Sequence, residues 1–230
     1  MKVVILAGGK GTRLSEYTKV IPKPMVKIGQ ITILEHIMNF YISYGFSDFL
    51  ILTGYKSFVI ENYLKGTKYN VKVLNTGLNS LTGLRLHKAQ KFLKKERFFL
   101  TYGDGLSNVN LNKLLRFHIK NKSTITLTSV HPPARFGELI INKNKVSSFQ
   151  EKPQLQKGWI NGGFFVVEPS FFKFINHKNV MLERDPIAKA VKAKKIYAYK
   201  HKGFWFCMDN MRDKEVLESL NKKRKVPWIK

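Results

Sequence analysis

A mixed, mainly parallel α/β sheet flanked by helices is the fold that this 230-residue sequence predicts. Three observations carry that expectation. Val3-Val4-Ile5-Leu6-Ala7 and Phe49-Leu50-Ile51-Leu52-Thr53 are continuous apolar runs, the pattern of strands buried on both faces. Helix-length stretches with apolar residues at i, i+3 and i+4 spacing separate such runs. A strand–helix–strand–helix succession of this kind implies right-handed crossovers between parallel strands.

The first strand, Val3 to Ala7, breaks off at Gly8-Gly9, with Gly11 close behind. Ile33 to Tyr44 reads as a helix, because Ile33, Leu34, Ile37, Met38 and Tyr41 share one face, and Gly45 closes it. Phe49 to Thr53 is the second strand; Gly54-Tyr55-Lys56, a helix through about Leu64 and a short strand from Val71 to Asn75 follow. Thr76 to Arg85, rich in small and polar residues, reads as a loop before a helix from Leu86 to Phe92. Phe98 to Thr101 is a strand, Leu111 to Asn121 a helix, and Ser123 to Val130 a strand. Pro132-Pro133 breaks the chain before a hairpin, Glu138 to Ile141 and Lys145 to Phe149, turned by Asn142-Lys143-Asn144. A strand from Phe164 to Val167, a short helix from Pro169 to Phe174, a helix from Pro186 to Ala193, a strand from Ile196 to Lys200 and a helix from Asp213 to Leu220 complete the series. With no internal repeat or low-complexity linker, residues 1–230 read as one domain.

Charge dominates the composition: 41 Lys and Arg against 15 Asp and Glu give a formal +26. Taken alone, that balance points to nucleic acid or an anionic membrane surface. The basic residues are dispersed, however, and only Lys222-Lys223-Arg224-Lys225 forms a dense run. No nucleic-acid motif accompanies it, and aromatic residues are not interleaved as a stacking platform would need. Specific nucleic-acid binding is therefore not expected, and small polyanionic substrates explain the charge better. No segment is apolar and long enough to span a bilayer, and no leader precedes the first strand, so membrane insertion is not expected. The single cysteine, Cys207, cannot form an internal disulfide, which agrees with a reducing cytoplasmic setting.

The stretch Val3 to Met25 carries the strongest chemical signal. Glycines at a strand end let the backbone approach a bulky ligand, and successive N–H groups in such a loop cradle phosphate oxygens. Arg13 and Lys23 add fixed positive charge over a polyphosphate. An ordinary strand-to-helix turn would use the same glycines, so spacing matters. The dinucleotide fingerprint fails because Leu14 stands where a glycine is required, and no G-K-[ST] ending completes a Walker A loop.

Further along, Asp104 lies between Gly103 and Gly105 at the end of a buried strand, where a hard divalent cation bridging phosphates would find an oxygen ligand. Turn formation by Asp-Gly is the competing explanation. Asp209 supplies a second carboxylate after Gly203 to Met208. In the loop from Thr76, Ser80 and Thr82 can read a nucleobase edge or cap a helix, and Arg85 can meet phosphate. Lys152 can hold a substrate phosphate and Asn161 hydroxyl groups, with Gly162 allowing close approach. The histidines show no metal-ligand pairing, and no Ser-His-Asp arrangement suggests itself.

The run LAGGKGTRL followed by PKPM resembles the signature of nucleotidyltransferases that make nucleotide sugars. The ordered series GGKGTRL, KPMV, GYK, TG-x-x-S-x-TG-x-R, TYGDG, PP-x-RFG, FQEKP, INGGFFV, GFW-x-x-MD and RDK with PW is similar, across essentially the whole chain, to the glucose-1-phosphate cytidylyltransferases. The resemblance implies a Rossmann-like, glycosyltransferase-A-like nucleotidyltransferase fold and a cytoplasmic, homo-oligomeric enzyme. It implies CTP and a sugar 1-phosphate as substrates, Mg2+ as cofactor, and CDP-glucose for surface polysaccharides as product. By the same resemblance, Leu6, Ala7, Gly8, Gly9, Gly11, Thr12, Arg13 and Lys23 contact the triphosphate, and Ser80, Thr82, Gly83, Arg85 and Gly103 complete the CTP site. Asp104 and Asp209 become the metal ligands; Glu151, Lys152, Asn161 and Gly162 receive the sugar phosphate. Arg13, Lys23, Asp104 and Asp209 are the expected catalytic set. Two departures stand out: a long family segment is missing where only Ser57 to Asn75 intervenes, and Lys27 replaces an acidic residue. Both bear on the acceptor rather than on the cytidylyl transfer; a thymidylyltransferase, or a cytidylyltransferase for another phosphorylated acceptor, is the alternative.

Overall fold

A computed structural model describes residues 1–132, 138–150, 158–223 and 226–229, with only the backbone for 138–141, 149 and 150. In chain order the elements are β1 (Val3–Leu6), α1 (Ser15–Thr18), β2 (Lys27–Ile28), β3 (Ile31–Thr32), α2 (Ile33–Ile42), β4 (Phe49–Thr53), α3 (Ser57–Lys65) and β5 (Val71–Asn75). They continue through α4 (Thr82–Lys88), β6 (Phe98–Tyr102), β7 (Gly105–Ser107), α5 (Leu111–Lys120), β8 (Ile125–Val130), β9 (Glu138–Asn142), β10 (Lys145–Gln150) and β11 (Ile160–Val167). Last come α6 (Asp185–Lys192), β12 (Ile196–Lys200), β13 (Trp205–Cys207) and α7 (Met211–Asn221).

The central sheet has seven strands in the order β12-β8-β11-β6-β1-β4-β5. All neighbours run parallel except at β11, which is antiparallel to both β6 and β8. The apolar runs follow from burial on both faces. Val3 and Ile5 pack with Ile37, Tyr41, Phe99 and Phe164 on one side; Val4 and Leu6 pack with Leu50, Phe98, Leu100 and Phe165 on the other.

Several helices start where the chain supplies a cap. Thr32 and Glu35 form a reciprocal capping box at α2, and Asn210 with Asp213 does the same at α7. Residues 226–229 return to the body of the protein, where Trp228 is fully buried. Its Nε1–H donates to His36 Nδ1 at 3.1 Å, while His36 Nε2 bonds the Ile28 carbonyl at 2.9 Å. Phe204 stacks beside the indole at 5.7 Å.

Two differences from the sequence expectation concern the site. The helix expected from Leu86 begins at Thr82, so Thr82, Gly83 and Arg85 belong to α4 rather than to a loop. Neither Ser80 nor Thr82 caps it. The Leu81 N–H is met from outside by Asn179 Oδ1 at 2.7 Å, a partner that local sequence does not announce. The second difference is the pair β7–β13, three residues each and too short to leave a periodic signal.

Candidate active site

The carboxyl ends of β1 and β6, the start of α4 and the start of β11 surround a cleft of about 510 Å³, at the end of a parallel sheet where ligands bind. Leu6, Ala7, Gly8, Gly9 and Thr12 line it. Gly11 takes φ 65°, and a Cβ there would lie 2.8 Å from Thr18 Cγ2, so this turn requires glycine. The Gly11 carbonyl accepts from Thr18 Oγ1 at 3.0 Å and from the Leu14 N–H at 2.9 Å. Gly103 packs as closely at the other wall, with its N–H 3.1 Å from the Leu6 carbonyl.

The carboxylates converge because β7 pairs with β13. Gly105 sits opposite Cys207, and the Met208 N–H donates to the Asp104 carbonyl at 2.9 Å. This register sets Asp104 beside the segment that ends in Asp209. Lys23, held between Pro22 and Pro24, reaches both: its Nζ lies 2.7 Å from Asp104 Oδ2 and 2.9 Å from Asp209 Oδ1. Arg13 Nη1 meets Asp209 Oδ2 at 3.0 Å from the exposed rim. Burial works to lower the Lys23 pKa, but the carboxylates of Asp104 and then Asp209 outweigh it and the net shift is upward.

Asp104, Cys207 and Asp209 present ligand atoms within 4.8 Å of one another. Carboxylate oxygens suit a hard divalent cation, and an ammonium group already bridges them, so this donor set fits positive charge. Cys207 was absent from the sequence expectation. Burial first, and then the Asp104 carboxylate, pushes its thiol far above the usual range and keeps it protonated.

Arg85 lines the cleft, and its guanidinium bonds oxygens of the protein itself. Nη1 donates to the carbonyls of Thr53 (2.8 Å) and Gly77 (3.0 Å) and to Thr76 Oγ1 (2.6 Å); Nη2 donates to the Gly8 carbonyl at 2.8 Å. Burial draws its pKa down, and no carboxylate pairs with it among the described residues. The guanidinium therefore fastens the glycine loop to the segment from Thr53 to Leu78. It also explains two glycines, since a Cβ at Gly8 or Gly54 would lie 2.2 or 2.4 Å from Arg85 Nη1. Ser80 is buried too; Lys88 Nζ donates to its Oγ at 3.1 Å and to the Thr76 carbonyl at 2.7 Å.

On the opposite wall, Asn161 and Gly162 lie at a bulge of β11, where the register against β8 shifts between Asn161 and Phe165. Asn161 Oδ1 accepts from the Gly163 N–H at 2.9 Å, and the Gly162 carbonyl accepts from Trp205 Nε1 at 2.7 Å. Gly163, at φ 77°, leaves room for the Tyr102 ring, which a Cβ would approach to 2.4 Å. Tyr102 and its partner Glu183 had no role in the sequence reading. Tyr102 lay inside the TYGDG motif, whereas nothing in the sequence around Glu183 distinguished it. Glu151 and Lys152 fall outside the described residues.

The family described as Nucleotidyl transferase matches residues 2–209. A glucose-1-phosphate cytidylyltransferase of Salmonella typhimurium is 41% identical over 253 aligned positions, covering 99% of this chain and 98% of the relative. That alignment is longer than the 230-residue chain, so the relative carries sequence without a counterpart here. In this fold only residues 66–70 join α3 to β5. A mannose-1-phosphate guanylyltransferase of Arabidopsis thaliana is 30% identical, covering 97% of this chain and 66% of its own. The solved inositol-1-phosphate CTP transferase of T. maritima superposes with a TM-score of 0.72 at 17% identity, covering 96% of each chain, and shares the fold. No described helix is long and apolar enough to cross a membrane.

Proposed function

The chain belongs to the nucleotidyl transferase family, and we propose that it condenses CTP with a sugar 1-phosphate, α-D-glucose 1-phosphate foremost, to give a CDP-sugar and pyrophosphate. The observation that carries this reading is 41% identity, over nearly the whole of both chains, to a glucose-1-phosphate cytidylyltransferase, together with one cleft containing the glycine loop, Lys23 and both aspartates.

The chemistry follows from the groups present. A sugar phosphate has a second pKa of about 6 and is largely dianionic at neutral pH, so it needs no general base. Its phosphate oxygen attacks the α-phosphorus of CTP; the bond to the bridging oxygen breaks, and pyrophosphate departs with that electron pair. The protein must hold two repelling anions together and offset the charge that develops on the leaving group. Backbone N–H groups from Gly8 to Arg13 receive the triphosphate, and Arg13 and Lys23 supply cations on its side. Lys23 exchanges carboxylate for phosphate oxygens as the nucleotide enters. Asn161, at the β11 bulge, orients acceptor hydroxyls, and Lys152 meets the acceptor phosphate. Asp104 and Asp209 would hold a divalent cation, Mg2+ in this reading, which when bound offsets phosphate charge. The reading extends to a cytoplasmic homo-oligomer supplying CDP-sugars for surface polysaccharide.

Pyrophosphate release measured with four nucleoside triphosphates crossed against a set of sugar 1-phosphates tests it. CTP with glucose 1-phosphate should exceed every other pair. Preference for GTP or dTTP overturns the cytidylyl assignment, and preference for another sugar overturns the acceptor. The guanylyltransferase relative supports the same transfer with a different base, which this panel also resolves.

A further inference from the structure

The segment from Asn179 to Glu183 touches both halves of the cleft, although it belongs to none of the sequence motifs. Asn179 Nδ2 donates to the Asn79 carbonyl at 2.9 Å, and the Gly83 N–H donates to the Val180 carbonyl at 3.0 Å. That approach is so close that a Cβ on Gly83 would lie 2.7 Å from the Val180 oxygen. The Leu182 N–H then donates to Thr82 Oγ1 at 2.8 Å, and Thr82 Oγ1 donates to Glu183 Oε2 at 2.8 Å. The other carboxylate oxygen, Oε1, accepts from the Tyr102 hydroxyl at 2.5 Å. Tyr102 in turn accepts from Asn161 Nδ2 at 3.1 Å.

Every hydrogen in this chain has a fixed sense. Thr82 accepts from a backbone N–H and Tyr102 accepts from an amide, so both hydroxyls donate inward, onto a group that offers each a separate acceptor oxygen. Glu183 is that group. One of its arms ends on the first turn of α4, against the nucleotide side of the cleft; the other ends on the side chain that faces the acceptor. We propose that Glu183 is a positioning residue for the transfer reaction, fixing the nucleotide wall through Thr82 and the acceptor wall through Tyr102 and Asn161. It rests on the reading of the cleft as a nucleotidyl-transfer site, and it touches neither substrate.

Steady-state kinetics with each substrate varied in turn, alongside thermal melts, tests this role. Glu183→Ala should raise both KM values by about tenfold, the effect of losing hydrogen bonds to a charged group at each wall. Glu183→Gln retains one acceptor oxygen and should recover part of the loss at one wall. Tyr102→Phe should raise the acceptor KM in the wild-type background but add little to Glu183→Ala, because it acts through the carboxylate already removed. A purely structural Glu183 would lower the melting temperature and the active fraction while leaving both KM values unchanged. That outcome overturns the proposal, as does a rise in one KM alone or full additivity with Tyr102→Phe. The wild type is first run against all four nucleotides: use of one other than CTP refutes the cytidylyl reading but leaves the Glu183 comparison to proceed with that nucleotide. Absence of turnover with every pair overturns both.

Discussion

Lys23 and Asp104, 81 positions apart in sequence, meet at 2.7 Å inside the cleft, and the same ammonium holds Asp209 at 2.9 Å. A cation of the protein's own thus separates two carboxylates that would otherwise repel. Lys23→Met should cost about 1–3 kcal/mol of stability by leaving them unpaired in a partly buried site. Millimolar magnesium should then raise the melting temperature of the variant more than that of the wild type. Equal shifts would show that the ion binds elsewhere.

Asp104→Asn is expected to lower kcat/KM by more than about a hundredfold, by removing charge from the transfer site. The fold should persist, because the Met208 N–H bonds the backbone carbonyl at 104 and not the side chain. A circular dichroism melt close to wild type combined with lost turnover is the expected pair of results. Retained turnover in the presence of excess chelator would remove Asp104 from the ligand set.

Gly8 and Arg85 should be energetically coupled. The three atoms nearest a methyl group at position 8 all belong to the guanidinium, the first at 2.2 Å, so Gly8→Ala forces Arg85 away from its carbonyls. The single variant should lose about 1–3 kcal/mol in chemical denaturation, while the same substitution on an Arg85→Ala background should lose much less. Additive losses would place the constraint on Gly8 in its backbone rather than in Arg85.

The buried tail gives a pH dependence of known sign. His36 accepts from Trp228 and is held below the ordinary imidazole pKa by burial, against the opposing pull of the Ile28 carbonyl, Glu35 and Glu218. The unfolded chain takes up a proton near pH 6.5, whereas the folded chain resists it, so stability falls as pH drops below about 6.5 and is level above it. Melting temperature should therefore decline on acidification. Trp228→Phe frees Nδ1 and should flatten that decline, with His118 and His201, also held low by burial, leaving a residual slope. An unchanged slope in the variant would detach the effect from His36.

Much of this architecture was legible because it is local. Strands β1 and β4 announce themselves as apolar runs, α2 by its spacing, and the glycine loop by a motif of unbroken length. What escaped depends on contacts distant in sequence. The first turn of α4 is met by Asn179, 98 positions from Leu81, and the convergence of Asp104 with Asp209 goes with strands of three residues. Arginine in a loop beside the glycine motif suggests a phosphate contact, and the fold adds protein partners for Arg85 that the sequence does not announce. Its carbonyl partners come from the Gly8 turn and the region around β4 and β5, which no local pattern brings together. Glu183 carries no signal in its own neighbourhood; its significance lies in Thr82 and Tyr102.

The span of the carboxylate cluster bears on how the protein folds. Lys23 and Asp209 close a contact across 186 positions, and Arg13 and Asp209 one across 196. Such contacts are among the slowest a chain makes, since the entropy of closing a long loop is lost before any interaction compensates it. The hydrophobic sheet can assemble from shorter closures such as β1 with β4, but the cation site cannot exist until the segment after β13 has docked. Amide-hydrogen protection in β1 and β4 should consequently appear before cation binding during refolding, and the interval between them would time the docking of the segment after β13.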